Sequence, residues 1–210
     1  AVYKQIIDMN LYKLNTVEKI ETTDRVAGTL DLPETVSKES FPYGAGDIDP
    51  YRSYKSIFDG SIQAVHNKEL IYYCVRANSD DWTVYPNLLG GINGFSVTQD
   101  MIDEYRMADG RQYSEATDAE KSWQAVGIGK TFSENYVLSP DRAYMHDNRE
   151  PRFYASIGFN YCVWPGTSYT GTEAIKNFVA NYYKDGNSQP TGNIKVDYNR
   201  TGYTLSLIHI

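Results

Sequence analysis

Asn148-Arg149-Glu150-Pro151-Arg152-Phe153-Tyr154-Ala155-Ser156-Ile157-Gly158-Phe159-Asn160 is the stretch whose reading decides how the chain is understood. Pro151 fixes its own φ and pushes Glu150 toward an extended backbone, so no helix is expected to run through this point. Beyond it, Phe153, Ala155, Ile157 and Phe159 share one face, with Tyr154, Ser156 and Gly158 on the other. That period of two predicts a short strand with an aromatic, buried side. Arg149 and Arg152 flank the proline, with Glu150 and Asp147 close enough to pair with them. Locally this reads as a structural corner: a pinned turn, an ion-pair cluster and a core strand.

The surrounding composition is that of a folded domain. The 210 residues suffice for one sizeable core, and 22% charged with 41% hydrophobic residues exclude a disordered chain. Aromatic content is 14%, with 19 Tyr against 3 Trp and 7 Phe. Tyrosine combines a large apolar face with a hydroxyl, which suits wet, polar ligands. A net charge of −7 without a basic stripe argues against nucleic acid as a partner. No apolar run approaches the roughly 20 residues needed to span a bilayer, and the N-terminus has no signal-peptide pattern. Cys74 and Cys162 lie in apolar surroundings and read as buried free thiols, with pairing in an exported protein as the alternative. Neither has a CxxC partner or a neighbouring histidine, so no metal or cofactor is implied.

In chain order, Val2, Tyr3, Ile6, Ile7, Leu11 and Leu14 keep helical spacing over residues 1–14. Residues 21–50 dissolve into a long loop rich in Thr, Ser, Gly and Pro. Tyr54, Ile57, Phe58, Ile62 and Val65 predict a helix interrupted at Gly60, and residues 69–75 a short buried strand. A helix is expected from the N-cap Thr98 to Asp109-Gly110, with Val97 and Ile102 as a hydrophobic staple and Met101, Ile102 and Tyr105 as its apolar face. Thr117 and Glu120 form a capping box that predicts a second short helix through Trp123, placing that indole in the core. A polar connection then leads back to the opening stretch. Residues 172–184 fit helix or strand equally, and Asp185-Gly186-Asn187 reads as a turn. The last six residues, Leu205 to Ile210, look like the translation of a sequencing-library adapter and are set aside.

Several ordered segments together resemble the SusD/RagB family of outer-membrane nutrient-binding lipoproteins of Bacteroidetes. They are Asp49-Pro50-Tyr51 with Ser53-Tyr54-Lys55-Ser56-Ile57-Phe58, Asn67-Lys68-Glu69-Leu70-Ile71, Thr98 to Tyr105 with Met107-Ala108-Asp109-Gly110, Asn148 to Ile157, and Thr201-Gly202-Tyr203. The resemblance covers most of residues 49–204, and residues 1–48 match loosely. It implies a mainly α fold on tetratricopeptide-like helices, with long loops and a few short β-strands. Residues 1–204 would be the C-terminal portion of a single such domain, truncated at both ends. It further implies a surface-exposed outer-membrane lipoprotein, held by a lipid anchor outside this sequence. Such a protein delivers oligosaccharides to a SusC-like TonB-dependent transporter.

Sugar recognition needs flat aromatic faces against pyranose C–H groups and polar forks for the hydroxyls. The loop at residues 76–96 supplies Trp82 and Tyr85 beside Asp81 and Asn87 on glycine-rich backbone, where binding residues tend to gather. Folding of either ring into the core is an equally weighted alternative. Trp164, in a Pro-Gly loop, is the further candidate, although packing is the stronger expectation there. The same scaffold binding peptides or another nutrient is the first alternative function, and an extracellular carbohydrate-active enzyme the second. Acidic pairs such as Asp80/Asp81 always occur among 27 acidic residues. No Ser or Cys elbow accompanies the three histidines, so a non-catalytic protein is expected.

Overall fold

The structure, a computed structural model, describes residues 2–18, 37–38, 48–71, 86–89, 91–127, 130–133, 136–139, 141–164, 178–189, 199 and 201–205. Four short helices alternate with seven short strands among them: α1 (Val2–Asp8), β1 (Ser37–Lys38), α2 (Pro50–Lys55), α3 (Gln99–Glu104), β2 (Lys130–Ser133), β3 (Tyr136–Leu138), α4 (Pro151–Ser156), β4 (Ile157–Gly158), β5 (Val163–Trp164), β6 (Phe178–Val179) and β7 (Thr204–Leu205). No described helix is long and apolar enough to cross a membrane. Helix does not dominate these residues, in contrast to the mainly α expectation. Each helix lasts at most seven residues before a turn or strand takes over.

The opening stretch departs from its expected strand. Pro151 does not exclude a helix; it begins one. Glu150 is extended at φ −62 and ψ 154 as the N-cap, and Pro151 occupies the first turn, where its missing N–H has no intrahelical partner to lose. Residues 153–159 are buried on every side, so the apparent alternation was an accident of composition. The chain then passes from α4 into β4 without a loop, Ile157 sitting at φ −115 and ψ 125. Of the ion pairs expected here, Arg152 pairs with Glu150 at 2.7 Å, whereas Asp147 is taken by Arg142 at 2.6 Å.

α2 packs against α4. It starts at the buried N-cap Asp49, whose carboxylate accepts from Arg52 N at 2.9 Å, with Pro50 in its first turn. The segment before it is laced to the helix by side chains. Val17 N donates to Ser53 Oγ at 2.8 Å, and Asn15 Nδ2 donates to Ser53 O at 2.7 Å. α1 is shorter than expected because Asn10, at φ 52, turns the chain away. Ile7, Leu11 and Leu14 are exposed rather than forming a buried face. α2 likewise stops at Lys55. Gly60 (φ 76) lies in the turns that follow, and only a 3-10 turn at Ala64–His66 continues the pattern. Leu70 and Ile71 are not strand, and residues 72–75 of that expected element, Cys74 included, lie outside the described residues.

α3 begins as expected, with Thr98 Oγ1 accepting from Met101 N at 3.4 Å, Ile102 fully buried and Val97 packed beside it. It ends at Glu104, before Asp109-Gly110, and Met101 is half exposed (49%). Residues 117–123 form turns and no helix. The carboxylate of Glu120 does bond Thr117 N, at 2.7 Å, but both its oxygens are also held by Arg111. The carbonyls of Ser122 and Gln124 are drawn to the segment at 144–145. The expected polar connection at 128–147 contains instead the hairpin β2–β3, joined by β1 in parallel. β4 pairs antiparallel with β7, Ile157 opposite Leu205, and β5 with β6, Trp164 opposite Phe178. Of the ambiguous segment 172–184, Phe178–Val179 is strand β6, residues 180–184 are neither helix nor strand and residues 172–177 lie outside the described residues, whereas Asp185-Gly186-Asn187 turns as anticipated. Leu205 is therefore part of a sheet. Residues 206–210 lie outside the described residues.

Candidate functional site

The interior holds an arginine-aromatic hub built by the opening stretch. Arg149 is fully buried. Its Nη2 donates to Ile102 O at 2.6 Å and Tyr105 O at 2.9 Å, capping the end of α3, and Nη1 donates to Met145 O at 3.2 Å. Its guanidinium lies 4.2 Å from the ring centre of Tyr113 and 4.7 Å from that of Phe153, and Nε is without a partner. No carboxylate among the described residues forms an ion pair with it. Three carbonyl dipoles and two ring faces offset the desolvated charge instead. Burial lowers its pKa all the same.

His146 lies against this hub, with Nε2 3.1 Å from Tyr203 Oη and its ring 4.7 Å from that of Phe159. Burial, reinforced by Arg149 and Arg142, pushes its pKa down to about 3, so the imidazole is neutral. Tyr154 Oη donates to His146 O and accepts from Arg149 N, both at 2.9 Å. The arrangement is sealed from solvent and offers no group to a ligand. It is a scaffold, and it fixes the elements around it.

Of the residues predicted to bind sugar, Trp164 is 5% exposed. Its Nε1 donates to Tyr182 Oη at 3.1 Å, and that hydroxyl is 3.2 Å from Thr204 Oγ1. The indole is therefore a core anchor joining β5 to β7 and presents no face to a sugar. The stronger expectation, packing, describes it. Cys162, its neighbour, is a buried free thiol whose pKa burial pushes up to about 12, leaving it unreactive.

Asp81, Trp82 and Tyr85 lie outside the described residues. Asn87 is half-buried at the start of a 3-10 turn, Asn87–Leu89. The return half of that loop is firmly held. Pro86 is fully buried, Asn93 Nδ2 donates to Ser188 O at 2.9 Å, and Val97 N donates to Tyr203 O at 3.1 Å. Asn93 Oδ1 is buried without a partner.

Sequence reasoning placed Trp123 in the core, and the structure corrects this: the indole is 72% exposed. The mistake came from the capping box, which promised a helix; instead Arg111 holds the Glu120 carboxylate, and Tyr144 N and Met145 N, at the start of the 3-10 turn Tyr144–His146, take the carbonyls of Gln124 and Ser122. A shallow cleft of about 210 Å³ also opens between residues 13–16 and 62–68, lined by Lys13, Asn15, His66 and Lys68 among others; neither Asn87 nor Trp164 contributes to it. Its polar, open lining was not anticipated, because its two sides are remote in sequence.

The model of the SusD family matches residues 56–207, and the chain belongs to that family. No curated protein matches it. Among solved structures, a SusD-like protein from Bacteroides fragilis is 23% identical, with a TM-score of 0.46 over 76% of this chain and 28% of that one. The protein BT4246, solved with selenomethionine, is 16% identical, with a TM-score of 0.50 over 96% of this chain and 31% of that one. The likeness to BT4246 is one of fold. This chain spans less than a third of either solved chain.

Proposed function

We propose that this chain is part of a non-catalytic surface protein that captures oligosaccharides and delivers them to a SusC-like TonB-dependent transporter. Membership of the SusD family across residues 56–207 is the observation that carries this reading. The mainly α, tetratricopeptide-like scaffold and the lipid anchor to the outer membrane belong to the same proposal. So does sugar contact by Trp82, Tyr85, Asp81 and Asn87. The return half of their loop is tied down at Asn93 and Val97, which supports a binding role by limiting the ordering cost on ligand capture.

The test is affinity electrophoresis and calorimetry of the whole protein with a panel of soluble polysaccharides, accompanied by an assay for reducing ends. Binding without release of reducing ends is expected. Trp82→Ala is expected to weaken binding with little change in Tm. Turnover of any glycan moves the reading to an enzyme, binding of peptides alone moves it to another cargo, and a large loss of Tm in the variant makes Trp82 a packing residue.

A further inference from the structure

We infer that Trp123, together with Gln124 and the backbone-paired Tyr144, forms a sugar-stacking surface from residues other than those of the loop at 76–96. The inference rests on the glycan-binding reading above and deepens it. Trp123 is 72% and Tyr144 39% exposed. Neither side chain makes a hydrogen bond or ring contact with a described residue. Burying an indole is favourable, so one left in solvent is either unconstrained or held out by its frame. Here the frame is rigid.

The turn before Trp123 is closed by Lys121 N to Thr117 O at 3.0 Å and Ser122 N to Ala119 O at 3.2 Å. It is clamped by the two-pronged Arg111–Glu120 pair, with Arg111 Nη2 donating to Glu120 Oε1 at 2.7 Å. On either side of the indole the backbone is bonded to the neighbouring segment. Met145 N donates to Ser122 O at 3.1 Å, and Tyr144 N donates to Gln124 O at 3.0 Å. That segment is itself anchored by the Arg142–Asp147 pair and by Arg149 on Met145 O. The same bonds pair the backbone of the partly exposed Tyr144 with that of Gln124, the residue after Trp123. The Gln124 side chain, next in sequence to Trp123, is exposed and has no described partner.

The chemistry of this patch favours a sugar over a protein. A stable protein interface buries about 800 Å² per partner around an apolar centre. Two rings flanked by Ser122, Gln124 and the exposed Thr117 and Asp118 do not supply one. An exposed indole, with an exposed carboxamide next in sequence and a phenol on the paired segment, instead supplies what a pyranose ring requires: a flat face for its C–H groups and polar groups for its hydroxyls. A backbone already fixed beneath the ring leaves only the indole's own rotamers to be ordered on binding.

The experiment is calorimetry and indole-fluorescence titration of the whole protein with starch, xylan, a mixed-linkage β-glucan and pectin, comparing wild type with Trp123→Ala and Trp123→Phe. The glycan that binds wild type is expected to bind Trp123→Ala roughly tenfold more weakly, with Trp123→Phe intermediate because a flat face remains. Tm is expected to be unchanged in both. Unchanged affinity in Trp123→Ala, or lost affinity accompanied by lost Tm, overturns this inference and leaves the glycan-binding reading standing. Loss of co-purification with a transporter at unchanged glycan affinity overturns it in favour of a partner surface. A wild type that binds none of the four polysaccharides overturns this surface together with the reading beneath it.

Discussion

Arg149 shows how one side chain can organise a core. Its guanidinium reaches the carbonyls of Ile102, Tyr105 and Met145 at once, so a single planar fork ties α3 to the segment before α4. Asn148, left-handed at φ 53, turns the backbone so that its own carbonyl accepts from Ala108 N while the arginine side chain points inward. Removing the guanidinium takes a charged donor from three carbonyls, of which Ile102 O keeps only the longer bond from Tyr105 N, and opens a void between the rings of Tyr113 and Phe153. Hydrogen bonds from charged donors are individually worth about 1.5–3 kcal/mol, so Arg149→Ala is expected to lose about 3 kcal/mol or more in urea denaturation. Arg149→Lys is expected to recover only part of that, because a single ammonium lacks the fork that spans three carbonyls and two ring faces. A lysine variant with the wild-type midpoint contradicts this role.

At the scale of elements, the junction of α4 and β4 is closely packed. Gly158 is there for lack of a side chain: a Cβ would collide with Thr204 Oγ1 and stand 3.0 Å from Trp164 Cζ2 and 3.4 Å from Tyr182 Oη. Gly158→Ala is therefore expected to cost about 1–3 kcal/mol through overpacking. The double variant Gly158→Ala/Thr204→Ala is expected to be less unstable than the sum of its parts, because the second change removes the atom that clashes; strict additivity in denaturation midpoints argues against the clash. The same junction marks the limit of what the sequence disclosed. The N-cap at Thr98 was legible because capping is local chemistry. The start of α4 was misread because a proline permits a first turn as readily as it forbids a later one, and because burial on all sides counterfeits a period of two. Trp123 left its expected core position, and Trp164 kept the packing that was its stronger expectation, for a similar reason. Whether each ring lies inside depends on partners remote in sequence, Arg142 and Tyr144 for one and Tyr182 for the other.

For the whole molecule, the buried hub sets the pH range of stability. His146 titrates near 6.5 when unfolded and near 3 in the fold, because burial and the adjacent Arg149 and Arg142 disfavour its charged form. Of the other polar groups around it, Tyr203 Oη faces its Nε2 and Tyr154 Oη its carbonyl, both neutral phenols, and the Asp147 carboxylate is engaged by Arg142, so none compensates an imidazolium. Between those two pKa values the unfolded chain binds the extra proton, so stability is complete above about pH 6.5 and falls with pH by up to about 1.4 kcal/mol per unit. Glu120, depressed from 4.5 to about 2 by Arg111, adds to the acid loss only below 4.5. Cys162 acts on the alkaline side: its pKa is raised from 9.0 to about 12 by burial. The native state therefore retains a proton that the unfolded chain gives up above 9.0, and stability falls as pH rises through that range. The expected profile is a plateau between these limbs. Urea midpoints measured from about pH 7 to about pH 5 should decline in wild type before Glu120 contributes, and His146→Phe should flatten that part of the limb while retaining the stacked ring. A wild-type midpoint constant across this window, or an equal decline in His146→Phe, shows that the acid sensitivity originates elsewhere.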